Sequence, residues 1–259
     1  MSAIATSPTG AAAGAQARRP GLGRLTHVEL RKMTDTRAGL WLLLATAGLT
    51  LAVVVVVCLA GDDQDRVFAN LVSAAVQPAS LLLPVAGILL VTSEWTQRTS
   101  LITFALVPER GRVLTAKLIA GCLLGVAATL LCVAVAGVAT AIAAPGLDDT
   151  WSFSLGLLAQ DLFYVVTAMI TGIGMGALLL VSAPAIVLLY VLPTAWAAIG
   201  TLSFMEKPAE WLDTTRALDP MTDELLSAGQ WARALVALAL WMGVPLAAGW
   251  WRVRRTELR

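Results

Sequence analysis

Ser93–Lys117 reads SEWTQRTSLITFALVPERGRVLTAK and lies between two long apolar runs near the middle of the chain. It carries Glu94, Arg98, Glu109, Arg110, Arg112 and Lys117, together with an apolar set of Leu101, Ile102, Phe104, Ala105, Leu106 and Val107. A solvated loop would not hold so many large apolar residues. A membrane span would not hold so many charges, because each costs about 2.5–3.5 kcal/mol at the bilayer centre. The stretch therefore reads as a short helix lying at a membrane surface, able to press against another body. The runs on either side then read as membrane spans, and the fold follows from them.

Composition agrees. The chain is 58% hydrophobic and only 14% charged, with a mean hydropathy of +0.79. Soluble domains hold about 25% charged residues, so this chain lacks the polar surface needed to stay in water. Runs near the ~20 apolar residues of a spanning helix fall at 39–60, 68–92, 113–143, 155–180, 185–202 and 231–251. The expected fold is an all-α membrane protein with six transmembrane helices. Residues 1–21 are expected to form a disordered tail, without the apolar core of a secretory signal, and 22–259 a single transmembrane domain.

Within this frame, Leu22–Arg37 gathers Leu22, Leu25, Val28, Leu30 and Met33 on one broad helical side, with Arg24, Arg31, Lys32 and Asp35 mostly opposite. It resembles an interfacial amphipathic helix, although Glu29 intrudes on the apolar side. Pro78 and Pro84 predict kinks in the second span. Gly121 and Gly125 in the third have the spacing of close helix contacts. Ser182 and Pro184 break the run between spans four and five, and the Gly172, Gly174 and Gly176 cluster reads as tight packing or as part of a substrate path. Ser203–Gln230 is polar, with a short amphipathic helix expected around Trp211–Leu218.

Basic residues set an orientation. With the amino terminus inside, fourteen of the 18 Lys and Arg fall on inner segments, and only Arg66, Lys207, Arg216 and Arg233 fall outside. Both termini are then cytoplasmic. Trp41, Trp95, Trp250 and Trp251 would mark the inner interface, and Trp151 and Trp231 the outer one.

Several chemistries lack their residues. The sequence holds no G-x-x-x-x-G-K-[ST] phosphate loop, and its single histidine, His27, rules out a multi-histidine metal site in one chain. Cys58, Cys122 and Cys132 sit inside apolar runs, where they read as packing residues. A net charge of +1 gives no nucleic-acid footprint. Asp161, beside Gln160 in the fourth span, is an intramembrane acid. It either belongs to a translocation path or proton relay, or it hydrogen-bonds to a neighbouring helix near the outer interface.

Three stretches resemble the six-span permease subunits of bacterial ABC exporters, the kind paired with a separate ATPase subunit. VELRKMTDTRAGLW supplies Glu29, Lys32, Thr36 and Arg37. The central stretch supplies Glu94, Thr99, the turn Leu101–Val107, Pro108, Arg110 and Ala116–Lys117. WWRVRRTELR is similar to the family's aromatic and then basic finish. Arg98 stands where the family usually has Gly, and the turn between spans four and five lacks the common basic residue.

The resemblance implies a bacterial inner-membrane subunit that is not itself an enzyme and has no cofactor of its own. ATP and Mg would be bound by a partner ATPase, expected in two copies, and a second permease chain and membrane lipid would complete the assembly. The segment between spans two and three would be a coupling helix, with Glu94, Arg98, Thr99, Phe104, Pro108, Glu109 and Arg110 meeting the ATPase and Glu29, Lys32 and Arg37 on the interfacial helix beside it. The alternatives are an ion- or proton-coupled carrier using Asp161, and a non-transporting membrane scaffold.

Overall fold

A computed structural model describes residues 21–97, 109–144, 150–151 and 153–255. The proposed tail lies outside this set, and so does the centre of the expected coupling helix, including Arg98, Thr99, Phe104 and Pro108. The described residues are helical, and no strand occurs among them.

The order is α1 (Leu22–Asp35), α2 (Arg37–Ala60), α3 (Phe68–Thr96), α4 (Arg110–Ala143), α5 (Leu155–Leu179), α6 (Ser182–Ile199), α7 (Glu206–Leu212) and α8 (Thr214–Leu218). A 3-10 turn, Asp219–Thr222, follows. Then come α9 (Ala228–Leu238), a π-helical turn at Ala239–Gly243, and α10 (Val244–Arg255). Six helices are long and apolar enough to cross a membrane: α2 to α6 and the continuous α9–α10 rod. That is the pattern of a multi-pass membrane protein.

Local chemistry explains the ends. Thr36 leaves the helical region at φ −82°, ψ 139°, and its hydroxyl accepts from the Gly39 amide, so one residue both ends α1 and caps α2. Ser227 and Gln230 form a reciprocal capping box at the start of α9. Pro245 has no amide proton, and its ring crowds the carbonyl four residues back. The chain widens into the π turn immediately before it.

α3 is the central helix. It packs most extensively on α5 and also lies against α2, α4 and α6. Leu71, Val72, Val76, Leu83 and Ile88 are its buried core. Glycine lets the helices approach. A Cβ on Gly172 would lie 2.0 Å from the Pro84 carbonyl oxygen, and one on Gly176 would lie 3.0 Å from the Ile88 carbonyl. Gly174 faces Leu246 on α10 instead. The glycine cluster thus serves packing on two helices at once. Gly121 and Gly125 of α4 face Ile173 and Val166, the close contact their spacing predicts. By contrast, α2 and α6 are peripheral, with Leu44, Val56, Leu59, Val187 and Val191 exposed.

The break between spans four and five falls at Leu180–Val181, against an expected end of span four at 180, and the next helix opens at Ser182 instead of 185. Leu180 adopts a left-handed conformation, φ 59°, while its amide still bonds to the Gly176 carbonyl at 2.8 Å. A leucine there costs about 1–2 kcal/mol, and its packing into the main core holds it. The helix expected at 211–218 is two helices, because Asp213 ends α7 and turns to cap α8 through the Thr215 amide at 2.9 Å.

Candidate functional site: a ring of four charges

At the end of the bundle where α1 sits, four charged side chains from three helices close a ring. Glu29 comes from α1, Glu94 from the last turn of α3 and Lys117 from the second turn of α4. They are 4%, 5% and 3% exposed. The Lys117 ammonium donates to Glu29 Oε2 at 2.6 Å, to Glu94 Oε1 at 3.1 Å and to the Leu90 carbonyl at 2.9 Å. Its three protons therefore have three acceptors. Lys32, at the half-exposed rim, donates to Glu29 Oε1 at 2.7 Å and also to Glu94 Oε1.

Two positive and two negative charges balance, and that is the condition for burying them at all. A lone buried ion loses several kcal/mol of hydration, which only close partners return. Burial pushes the Lys32 ammonium down, but the Glu29 and Glu94 carboxylates outweigh it and hold its pKa above the ordinary lysine range. The ring ties α1 to the two helices that flank residues 98–108.

This geometry corrects the reading of α1. Its inward face is Thr26, Glu29 and Met33, while Leu22 and Val28 are exposed. The helix is held by its charges as much as by its leucines. Glu29, which breaks the apolar pattern in the sequence, is the residue that docks it.

Glu94, expected to meet a partner chain, turns inward, and its carboxylate accepts from Lys32 and Lys117. Of the other expected contact residues, Glu109 is exposed beside Arg112 at 3.5 Å, and Arg110 reaches the Val253 carbonyl at 3.4 Å. Arg37 is exposed at the start of α2. Lys117 entered the sequence reading as a charge of the central stretch and as part of the Ala116–Lys117 motif, not as a partner of Glu29. Its neighbourhood with Glu29, 88 residues away, has no local signal.

At the opposite end lie Gln160 and Asp161. Gln160 donates to the Met221 and Glu224 carbonyls at 2.9 and 2.8 Å and accepts from the Leu226 amide at 3.0 Å. It fastens the 219–226 segment over α5. Asp161, the next residue on the helix, lies within electrostatic reach of Asp223 in the same segment. It is 1% exposed, and its Oδ1 has no hydrogen-bond partner among the described residues.

Comparison with protein-family models found no match for this chain, and comparison with curated proteins found none either.

Proposed function

We propose that this chain is the membrane permease subunit of an ATP-driven exporter, with both termini and α1 on the cytoplasmic side and residues 98–110 as the element that meets a separate ATPase. The observation that carries the reading is the four-charge ring. A push on residues 98–108 enters α3 at Glu94 and α4 at Lys117, and the ring delivers it to α1 without slack. Buried charges in fixed mutual contact transmit displacement better than a lipid-facing apolar surface, because sliding any one of them would unpair the rest. The placement of fourteen basic residues on one side supports the orientation. The phosphate-binding machinery would belong to the partner, together with ATP and Mg, and two permease chains would enclose the path.

The test is affinity capture of the tagged full chain from its native membrane, with mass spectrometry and an ATPase assay on the eluate. A Walker-motif ATPase is expected to co-purify, and its recovery should fall at least tenfold when Glu109→Arg and Arg110→Glu are combined. A stable chain that captures no ATPase and shows no ATP hydrolysis overturns the proposal.

A second reading has its own observation, the buried and unpartnered Oδ1 of Asp161. As the proton-carrying group of an ion-coupled carrier, Asp161 would give uptake or efflux in vesicles that is driven by a pH gradient without ATP. Asp161→Asn should then abolish the coupling. Gradient-driven transport that survives this substitution removes the reading.

A further inference from the structure

A cavity of about 300 Å³ opens between α3, α5, α6, α8 and the π turn. Pro84, Thr167 and Met175 are buried in its depth, while Thr194, Thr215 and Asp219 are exposed at its mouth. Its volume lies at the lower end of small-molecule sites.

The wall is distinctive in how its hydrogen-bond donors are used. Thr167 donates to the Phe163 carbonyl at 2.8 Å, Thr171 to that of Thr167 at 2.8 Å, and Thr194 to that of Tyr190 at 2.7 Å. Ser80 donates to the Gln77 carbonyl at 2.8 Å, and the Tyr190 hydroxyl to that of Leu81. The Trp241 indole N–H is held by the Leu212 carbonyl at 2.7 Å. Each of these protons is committed to the backbone, so the hydroxyls of Ser80, Thr167, Thr171, Tyr190 and Thr194 have lone pairs left to offer.

Two prolines add to this bias. Pro84 has no amide proton for the Ser80 carbonyl, and Pro193 has none for the Leu189 carbonyl. Ser80 and Leu189 both line the cavity. Asp219 brings a carboxylate to the mouth, and no Lys, Arg or His is among the lining residues. Tyr164, Tyr190 and Trp241 contribute aromatic rings, whose faces attract cations. The remaining wall is aliphatic.

Acceptors that outnumber donors (the hydroxyls of Tyr164, Thr214 and Thr215 also face this lining), an acid without a base, and aromatic residues with an apolar lining together favour one ligand chemistry. We propose that this cavity binds a protonated amine carried on an apolar body. To call that ligand a cargo rests on the exporter reading, but its binding needs only this chain.

Three probes with one naphthyl body separate the possibilities: 2-(1-naphthyl)ethylammonium, its neutral N-acetyl form, and the anion 1-naphthaleneacetate. Equilibrium dialysis against the purified full chain in lipid nanodiscs should show saturable binding of the ammonium, at least tenfold tighter than either of the others. Asp219→Asn and the near-isosteric Thr171→Val should each weaken it at least threefold, with unchanged thermal unfolding as the control for folding. Equal binding of all three probes overturns the proposal, as does undiminished ammonium binding by both variants. No ATPase is present in this measurement. Ammonium binding by a chain that captures no ATPase would leave the site standing and remove the exporter reading, and the reverse pair of results would remove the site alone.

Discussion

Replacing Lys117 by methionine is expected to lower stability by about 3–5 kcal/mol, the usual effect of deleting one partner from a buried ion pair. The aliphatic stem is kept, so the loss reports charge and not volume. Glu29 and Glu94 would be left buried without the ring's buried cation, and Lys32 lies at the rim. Thermal unfolding of the detergent-purified chain, followed by size-exclusion chromatography, measures the loss directly. The double variant Glu29→Gln with Lys117→Met removes one charge of each sign and should recover part of it. If Lys117→Met unfolds as the natural chain does, the ring does not exist as described. Surface pairs such as Arg31–Asp35, at 2.9 Å but exposed on both sides, should show almost no effect by the same assay.

The second large effect is expected at the α3–α5 crossing. Gly172→Ala would place a methyl carbon 2.0 Å from the Pro84 carbonyl oxygen and 2.6 Å from two further backbone atoms of Pro84. Backbone cannot rotate away as a side chain can, so the two helices must separate. Overpacking of this kind costs about 1–3 kcal/mol and occasionally more, and the upper part of that range is expected here. Gly48→Ala in α2 is the control. Nothing lies within 4 Å of its added carbon, and alanine is about 1 kcal/mol better than glycine inside a helix. Gly48→Ala should therefore be neutral or stabilising by the same unfolding measurement. A Gly172→Ala chain as stable as the Gly48→Ala chain would mean the helices are not in backbone contact.

The six apolar helices were legible in the sequence because a span is a matter of length and composition, and both survive without knowledge of any partner. Their ends were legible to within a few residues: the spans expected to open at 39 and 231 open at Arg37 and Ala228, where the caps Thr36 and Ser227 were not singled out. The break near 180 was marked by Ser182 and Pro184, but nothing marked Leu180 itself as the left-handed residue. Its left-handed residue is a leucine rather than a glycine, selected by the core it packs into. The ring was half legible: Glu29 stood out as a charge on an apolar face, but the reason for it lies 65 and 88 positions further along, beyond the reach of any periodicity. Gln160 and Asp161 were read together because they are adjacent, and both lie within reach of the 219–226 segment.

The ring also constrains how the chain can be made. Glu29 leaves the ribosome long before Lys117, and neither can enter an apolar environment alone. α1 must therefore wait in water until α4 has been synthesised, and the final seating of α1, α3 and α4 becomes one late, concerted event of biogenesis. A nascent chain arrested before Lys117 would hold Glu29 and Glu94 with one of the ring's two cations, Lys32, and not the other. It should be the form that a membrane quality-control protease recognises and removes.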